Sequence, residues 1–88
     1  MRESPVNQGL VEFVDPANGR VVVHCDDGAY AGIKLTAWTR LSNGTRLFWS
    51  YTVAVEGVVF SAGGFRVEYE YAEWSMSREA AIAWFTGP

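Results

Sequence analysis

The chain has 88 residues, of which 49% are hydrophobic and 15% aromatic, with nine glycines and three prolines. This length allows one small domain, and the apolar content excludes a disordered chain. Seven Lys and Arg against ten Asp and Glu give a net charge of −3, which excludes a strong bulk attraction to a polyanion.

The sequence predicts a cytoplasmic protein without membrane contact. No stretch approaches the roughly 18 uninterrupted apolar residues that cross a bilayer. Asn7 and Gln8 are polar at the position where a secretory signal would be apolar. Cys25 is the only cysteine, so an internal disulfide is excluded and the domain must be stabilised by packing.

Three parts are predicted in chain order. A flexible leader spans residues 1–7, a β-barrel spans residues 8–74, and a short C-terminal helix packed on the barrel spans residues 75–88. Within the barrel, short β-type runs alternate with glycine-bearing turns every eight to twelve residues or so, a spacing typical of small barrels and sandwiches.

The first two runs are predicted to form a hairpin. Residues 10–14 lead into a turn at residues 15–19, which contains Pro16 and the Asn18-Gly19 pair. These residue types favour the backbone angles of tight turns. The second run, residues 20–25, is rich in valine and ends at the Asp-Gly turn of residues 26–28.

Later runs carry bends and one regular alternation. Gly32 predicts a bulge in the third run, and Glu56-Gly57 predicts a bend in the long run over residues 45–60. Residues 65–71 alternate between apolar and charged side chains, which predicts one face toward the core and one toward water. The predicted core side consists of Phe65, Val67, Tyr69 and Tyr71.

A helix is predicted near the end of the chain. Ser77 fits the N-cap, Glu79 lies in the first turn, and Gly87-Pro88 fits a stop signal. The apolar side chains of this helix are expected to plug one end of the barrel. They are Ile82, Trp84 and Phe85.

Residues 9–28 resemble the opening of the bacterial cold-shock domain. Gly9, Gly19 and the Asp26-Asp27-Gly28 turn fall at matching positions without a gap. Residues 36–38 and 41–49 match later family segments. The resemblance implies a mainly β fold: a five-stranded, OB-like antiparallel barrel that binds single-stranded nucleic acid across its first three strands.

The predicted face is the name used here for the residues that this resemblance assigns to nucleic-acid binding. Its members are Phe13, Arg20, Val22, His24 and Lys34. Phe13 would stack on a base, while Arg20 and Lys34 would contact phosphates. Arg20 and Val22 stand where the family has base-stacking phenylalanines. The alternation along residues 20–25 predicts that Val21, Val23 and Cys25 face the core instead.

An alternative function is an acidic protein–protein interaction module, such as an adaptor or a small inhibitory protein. The net charge and the lost phenylalanines favour it. Its expected contacts are an exposed strand edge or an aromatic surface with nearby arginine. The candidate residues are Trp38, Arg46, Trp49 and Tyr51.

Catalysis, a metal site and a cofactor are not expected. His24 and Cys25 are adjacent on a strand, so their side chains point to opposite faces, and no second His or Cys exists to complete a zinc site. Asp26 and Asp27 fall in a predicted turn, where aspartate is explained by local hydrogen bonding. A non-catalytic binding domain is therefore predicted.

Overall fold

The computed structural model describes residues 7–38, 41–49, 58–61 and 65–87. These residues form six strands and one helix. Their bounds are β1 (Asn7–Asp15), β2 (Arg20–Cys25), β3 (Tyr30–Leu35), β4 (Arg46–Trp49), β5 (Val58–Ser61), β6 (Arg66–Met76) and α1 (Arg78–Thr86). The predicted mainly β fold with a C-terminal helix is confirmed, with six described strands where five were expected.

The strands close into an antiparallel barrel in the order β1-β2-β3-β6-β5-β4. Strand β1 pairs with both β2 and β4, and β6 pairs with both β3 and β5. Every described strand therefore has two neighbours, and none of them offers the free edge that an added partner strand would need. The alternative function was expected to use an exposed strand edge, and the described strands do not provide one.

Tight turns connect the first three strands where the sequence predicts them. Gly19 and Gly28 have φ angles of 71° and 91°, which side chains with a Cβ rarely adopt. Asp27 accepts a hydrogen bond from the backbone N–H of Ala29 at 2.9 Å. The residue types of the Asp27-Gly28 turn are thus explained by the φ angle of Gly28 and by the hydrogen bond of Asp27 within the turn.

The barrel interior contains the side chains that alternation assigns to it. Val21 and Val23 are fully buried, and Cys25 packs against the same cluster. The buried members of this cluster are Val11, Val21, Val23, Ala31, Ile33, Leu35, Leu41, Leu47, Trp49, Val59 and Val67. The outward side of β2 therefore carries Arg20, Val22 and His24, as predicted.

The predicted alternation of residues 65–71 is wrong at both ends. Val67 is buried and Tyr69 packs against the core, but Phe65 is 65% exposed and Tyr71 is 45% exposed. The pairing of β6 with β3 shifts register between Lys34 and Leu35, whose partners are Tyr71 and Tyr69. This bulge moves Tyr71 to the outer surface, because one extra residue in a strand reverses the face of the sheet on which the following side chains lie.

Helix α1 lies on the outside of the barrel, against β2, β3 and β6. Ser77 caps it by accepting a hydrogen bond from the N–H of Ala80 at 3.1 Å. Ala81 is fully buried and packs with Val22, which points outward from β2. The expectation that the helix plugs an end of the barrel is therefore wrong. In the part of the chain that the structure describes, no helix is long and apolar enough to cross a membrane.

Candidate functional site

The predicted face is built on the outer side of the first three strands. Phe13 pairs with Val22, and Val22 pairs with Gly32, so the three form one row. Helix α1 covers this row, and Val22 has no exposed surface. The structure therefore brings Phe13 and Val22 together as expected but places them beneath the helix.

Trp84 occupies the centre of this contact. A β-carbon on Gly32 would lie 2.6 Å from Cε3 of the Trp84 indole. Two carbon atoms that are not bonded to each other cannot pack this closely. The ring of Phe85 lies 5.7 Å from the ring of Phe13. The absence of a side chain at position 32 therefore allows the helix to approach the sheet this closely.

Arg20 binds the end of the helix. Its Nη1 donates to the carbonyl oxygens of Trp84, Phe85 and Gly87 at 2.9, 3.3 and 2.7 Å. Its guanidinium also lies 5.4 Å from the centre of the Trp84 ring. Carbonyls at a helix C-terminus lack intrahelical partners and carry partial negative charge. The cation expected to meet a phosphate is thus bound to the chain's own helix. We call Phe13, Arg20, Val22 and Gly32 the helix seat.

Lys34 lies outside the helix seat and beside the carboxylate of Glu70. Its Nζ donates to the Asn18 carbonyl at 3.2 Å and lies 3.8 Å from a carboxylate oxygen of Glu70. Tyr71, the strand partner of Lys34, donates its hydroxyl to Glu73 at 2.6 Å, and this hydrogen bond raises the pKa of Tyr71. The carboxylate of Glu70 weakens the attraction of Lys34 for a phosphate.

His24 belongs to a small polar cluster on the same outer surface. Its Nδ1 lies 3.3 Å from a Glu12 carboxylate oxygen, and its ring stacks on Tyr30 with centroids 4.4 Å apart. The Tyr30 hydroxyl is 3.5 Å from the same Glu12 oxygen. Sequence reasoning missed Glu12 and Tyr30. Glu12 points outward because it follows the inward-facing Val11, and the register shift between Val11 and Phe13 keeps Phe13 on the same outer side.

Cys25 lies apart from this cluster. Burial raises the pKa of its thiol from an ordinary 9.0 to about 11, with Asp27 and Asp26 adding to the effect. A thiol with a raised pKa is a poor nucleophile near neutral pH. Among the residues with described positions, no three His, Cys, Asp or Glu side chains cluster in a way that would hold a metal ion.

Of the residues predicted for protein binding, the three that the structure describes, Trp38, Arg46 and Trp49, do not form one surface. Trp49 is 6% exposed and packs against Trp74, with ring centroids 5.2 Å apart. Trp38 is half-buried against the core. Arg46 is on the outside, where it donates to the Gln8 side-chain oxygen at 2.9 Å. Tyr51 lies outside the described residues.

A second set of outward side chains lies on the strands away from the helix seat. Phe48 pairs with Phe60, and Phe60 pairs with Arg66. Leu10 pairs with Arg46 beside them. Leu47, Val59 and Val67 point inward, so their neighbours in the chain point outward. We call this set the aromatic band: Leu10, Arg46, Phe48, Phe60 and Arg66.

The aromatic band is partly open to water. Leu10 is 40% exposed, and Phe48 and Phe60 are half-buried. Arg66 binds Glu68 at 2.9 Å, whereas Arg46 binds a neutral amide. Aromatic side chains flanked by arginine are enriched at protein–protein contacts. Sequence reasoning identified Arg46 but chose Trp38, Trp49 and Tyr51 as the aromatic candidates, whereas the half-buried outward ring on β4 is Phe48.

Comparison with known proteins gives no match to a protein-family model, a curated protein or a solved structure.

Proposed function

We propose that this protein is a non-catalytic protein-interaction module that binds its partner through the aromatic band. One observation carries the proposal: the surface on which an OB-like barrel would bind nucleic acid is covered by α1. Val22 is buried there, and Arg20 binds three carbonyl oxygens of the helix end. The aromatic band lies on β1, β4, β5 and β6, where its side chains are partly exposed.

The chemistry of the band supports a protein partner. Its centre is the apolar pair Phe48 and Phe60, which would lose water-exposed surface on binding. Arg46 lies beside them and donates a hydrogen bond to the neutral side-chain amide of Gln8. Because that contact leaves its positive charge unneutralised, Arg46 favours a partner with an acidic residue next to an apolar one. The free thiol of Cys25 is consistent with action in the reducing cytoplasm.

Charge supports the same choice over nucleic acid. The chain carries a net charge of −3, and binding to a phosphate backbone depends on released counterions, which requires several exposed cations. Of the two cations on the predicted face, Arg20 is bound to the helix and Lys34 lies beside Glu70. Both would have to exchange these contacts for phosphates.

A peptide-display selection on the purified protein tests the proposal. Peptides that bind are expected to combine apolar and acidic residues, and their affinity is measured by calorimetry. The double variant Phe48→Ala/Phe60→Ala should weaken them by about tenfold or more, because truncating central contacts typically costs above about 1 kcal/mol. Tyr71→Ala is the matched control, since it removes an exposed aromatic elsewhere, and should leave binding unchanged.

Titration of tryptophan fluorescence with oligo-dT and oligo-U at low salt completes the test. No change at tens of micromolar oligonucleotide is expected. A strongly salt-dependent signal that Arg20→Glu and Lys34→Glu abolish would instead establish nucleic-acid binding and contradict the proposal. The proposal would also be contradicted if the selected peptides bound the double variant as tightly as the unmodified protein.

A further inference from the structure

We propose that the partner segment bound by the aromatic band carries an apolar residue between an acidic and a basic one, and that its basic residue binds Glu12. This inference rests on the proposed function and deepens it, because it extends the binding surface beyond the aromatic band. Leu10 lies at the centre of the extended surface. Arg46 lies beside it on β4, and Glu12 lies further along β1 with its carboxylate toward β2.

Strand pairing places one continuous row of outward side chains across this part of the barrel. Leu10 pairs with Arg46 on β4 and with His24 on β2. His24 pairs in turn with Tyr30 on β3. Val23 points into the core, so His24 next to it points outward. Residues paired directly across antiparallel strands have Cα atoms about 4.5–5.5 Å apart. The row therefore joins the aromatic band to the His24 and Tyr30 rings without a break.

Leu10 is the apolar contact at the centre of this row. It is 40% exposed, so an apolar side chain of a partner that covers it would remove surface from water on both molecules. The rings of His24 and Tyr30 stack beside it, with their planes 2° from parallel. Because this stacking already fixes the two rings, a partner that packs against them has less side-chain freedom to remove.

The charges of Arg46 and Glu12 are both available to a partner. Arg46 donates to the neutral amide of Gln8. Glu12 contacts Nδ1 of His24 at 3.3 Å and the hydroxyl of Tyr30 at 3.5 Å, and neither of these groups is a permanent cation. The side chains of Glu12 and His24 are 31% and 42% exposed. A lysine or arginine of the partner can therefore reach the Glu12 carboxylate.

Opposite charges on the two sides of Leu10 also set the orientation of the partner. A segment bound in reverse would place its acid beside Glu12 and its base beside Arg46, and like charges in contact oppose binding. Arg66, the other cation of the aromatic band, is already paired with Glu68 at 2.9 Å. Arg46 is therefore the cation of the band that is left for the partner's acid, and Glu12 is its counterpart for the base.

Calorimetry with the peptides selected by display on the unmodified protein tests this inference. Each peptide is synthesised as selected and again with its basic residue replaced by glutamine. Glu12→Gln should weaken the selected peptide by about threefold to tenfold and leave the affinity of the neutralised peptide unchanged, because the ion pair is then absent in either case. Glu70→Gln is the matched control. It makes the same change of charge on β6, which does not neighbour β1, and should leave both affinities unchanged.

The outcomes separate this inference from the proposed function. If Phe48→Ala/Phe60→Ala weakens the selected peptides but Glu12→Gln does not, the proposed function stands and the inference is overturned. Selected peptides that lack a basic residue, or an equal loss with Glu70→Gln, would overturn it as well. If the double variant binds as tightly as the unmodified protein, the proposed function fails. A selection that yields no binding peptide contradicts both.

Discussion

The indole of Trp84 fills the space that a side chain at position 32 would need, with 2.6 Å separating its Cε3 from the position of a β-carbon on Gly32. Gly32→Ala should therefore destabilise the protein by about 1–3 kcal/mol, the usual cost of inserting a methyl group into a packed contact. Urea unfolding followed by circular dichroism measures the change in the free energy of unfolding.

A double-mutant cycle assigns this cost to its cause. In a Trp84→Ala background the same Gly32→Ala change should cost much less, because the obstructing ring is gone. Position 32 is not in the left-handed region, so no backbone strain is added by alanine. An equal cost in both backgrounds would contradict the explanation given for Gly32.

Arg20 should contribute to stability through the helix end. Arg20→Gln removes the charge-assisted bonds to the carbonyls of Trp84 and Gly87 and should cost about 1–3 kcal/mol, with loss of helical signal. The matched variant Lys34→Gln removes a cation of the same predicted face that is 41% exposed, and it should cost at most about 1 kcal/mol. Similar losses for the two variants would contradict the assigned role.

The thiol of Cys25 should react slowly. Its pKa of about 11 leaves little thiolate at pH 8, so alkylation by iodoacetamide should be about tenfold to a hundredfold slower than in the unfolded chain. The rate should rise with pH through the region between 9.0 and 11. Asp27→Asn should speed the reaction, because removing a nearby negative charge lowers the pKa.

The same shift gives a direction for stability in alkali. The folded chain holds the Cys25 proton up to about pH 11, whereas the unfolded chain releases it near 9.0. The contribution of Cys25 to the free energy of unfolding is thus fully present below pH 9.0, and it is lost as the pH rises toward 11. Cys25→Ala should remove this part of the alkaline decline, as measured by urea unfolding at several pH values.

Neighbouring aromatics on β4 should behave differently when truncated. Trp49→Ala empties a core position that is 6% exposed and should cost about 3–5 kcal/mol. Phe48→Ala removes a half-buried outward ring and should cost at most about 1 kcal/mol. Thermal unfolding compares the two, and a larger loss for Phe48 would contradict its placement in the aromatic band.

Local patterns in the sequence were sufficient to predict much of this fold. Valine alternation correctly separates Val21 and Val23 from Val22, because no bulge interrupts β2. Ser77 correctly marks the helix start through a hydrogen bond three residues away. Tyr71 was misassigned because the bulge in β6 depends on pairing with β3, which the polarity pattern of β6 alone does not contain.

The site was harder to predict because its contacts join distant parts of the chain. The helix was expected within residues 75–88, but its docking place depends on Gly32 and Arg20, which are far from it in sequence. Arg20 carries the same charge whether it meets a phosphate or a helix end. Its hydrogen-bond partner is identified only by the structure, in which Nη1 of Arg20 lies 2.7 Å from the carbonyl oxygen of Gly87.

Helix α1 follows the six described strands in the chain, so it is the last of these elements to be made during translation. Strand β6 must be made before the barrel closes, since it pairs with both β3 and β5. The ribosome adds about 5–20 residues per second, so Phe13, Val22 and Gly32 are already on a nascent chain seconds before Trp84 exists to cover them. Chaperones that recognise apolar segments would thus meet these side chains on the ribosome, on a chain whose barrel has not yet closed.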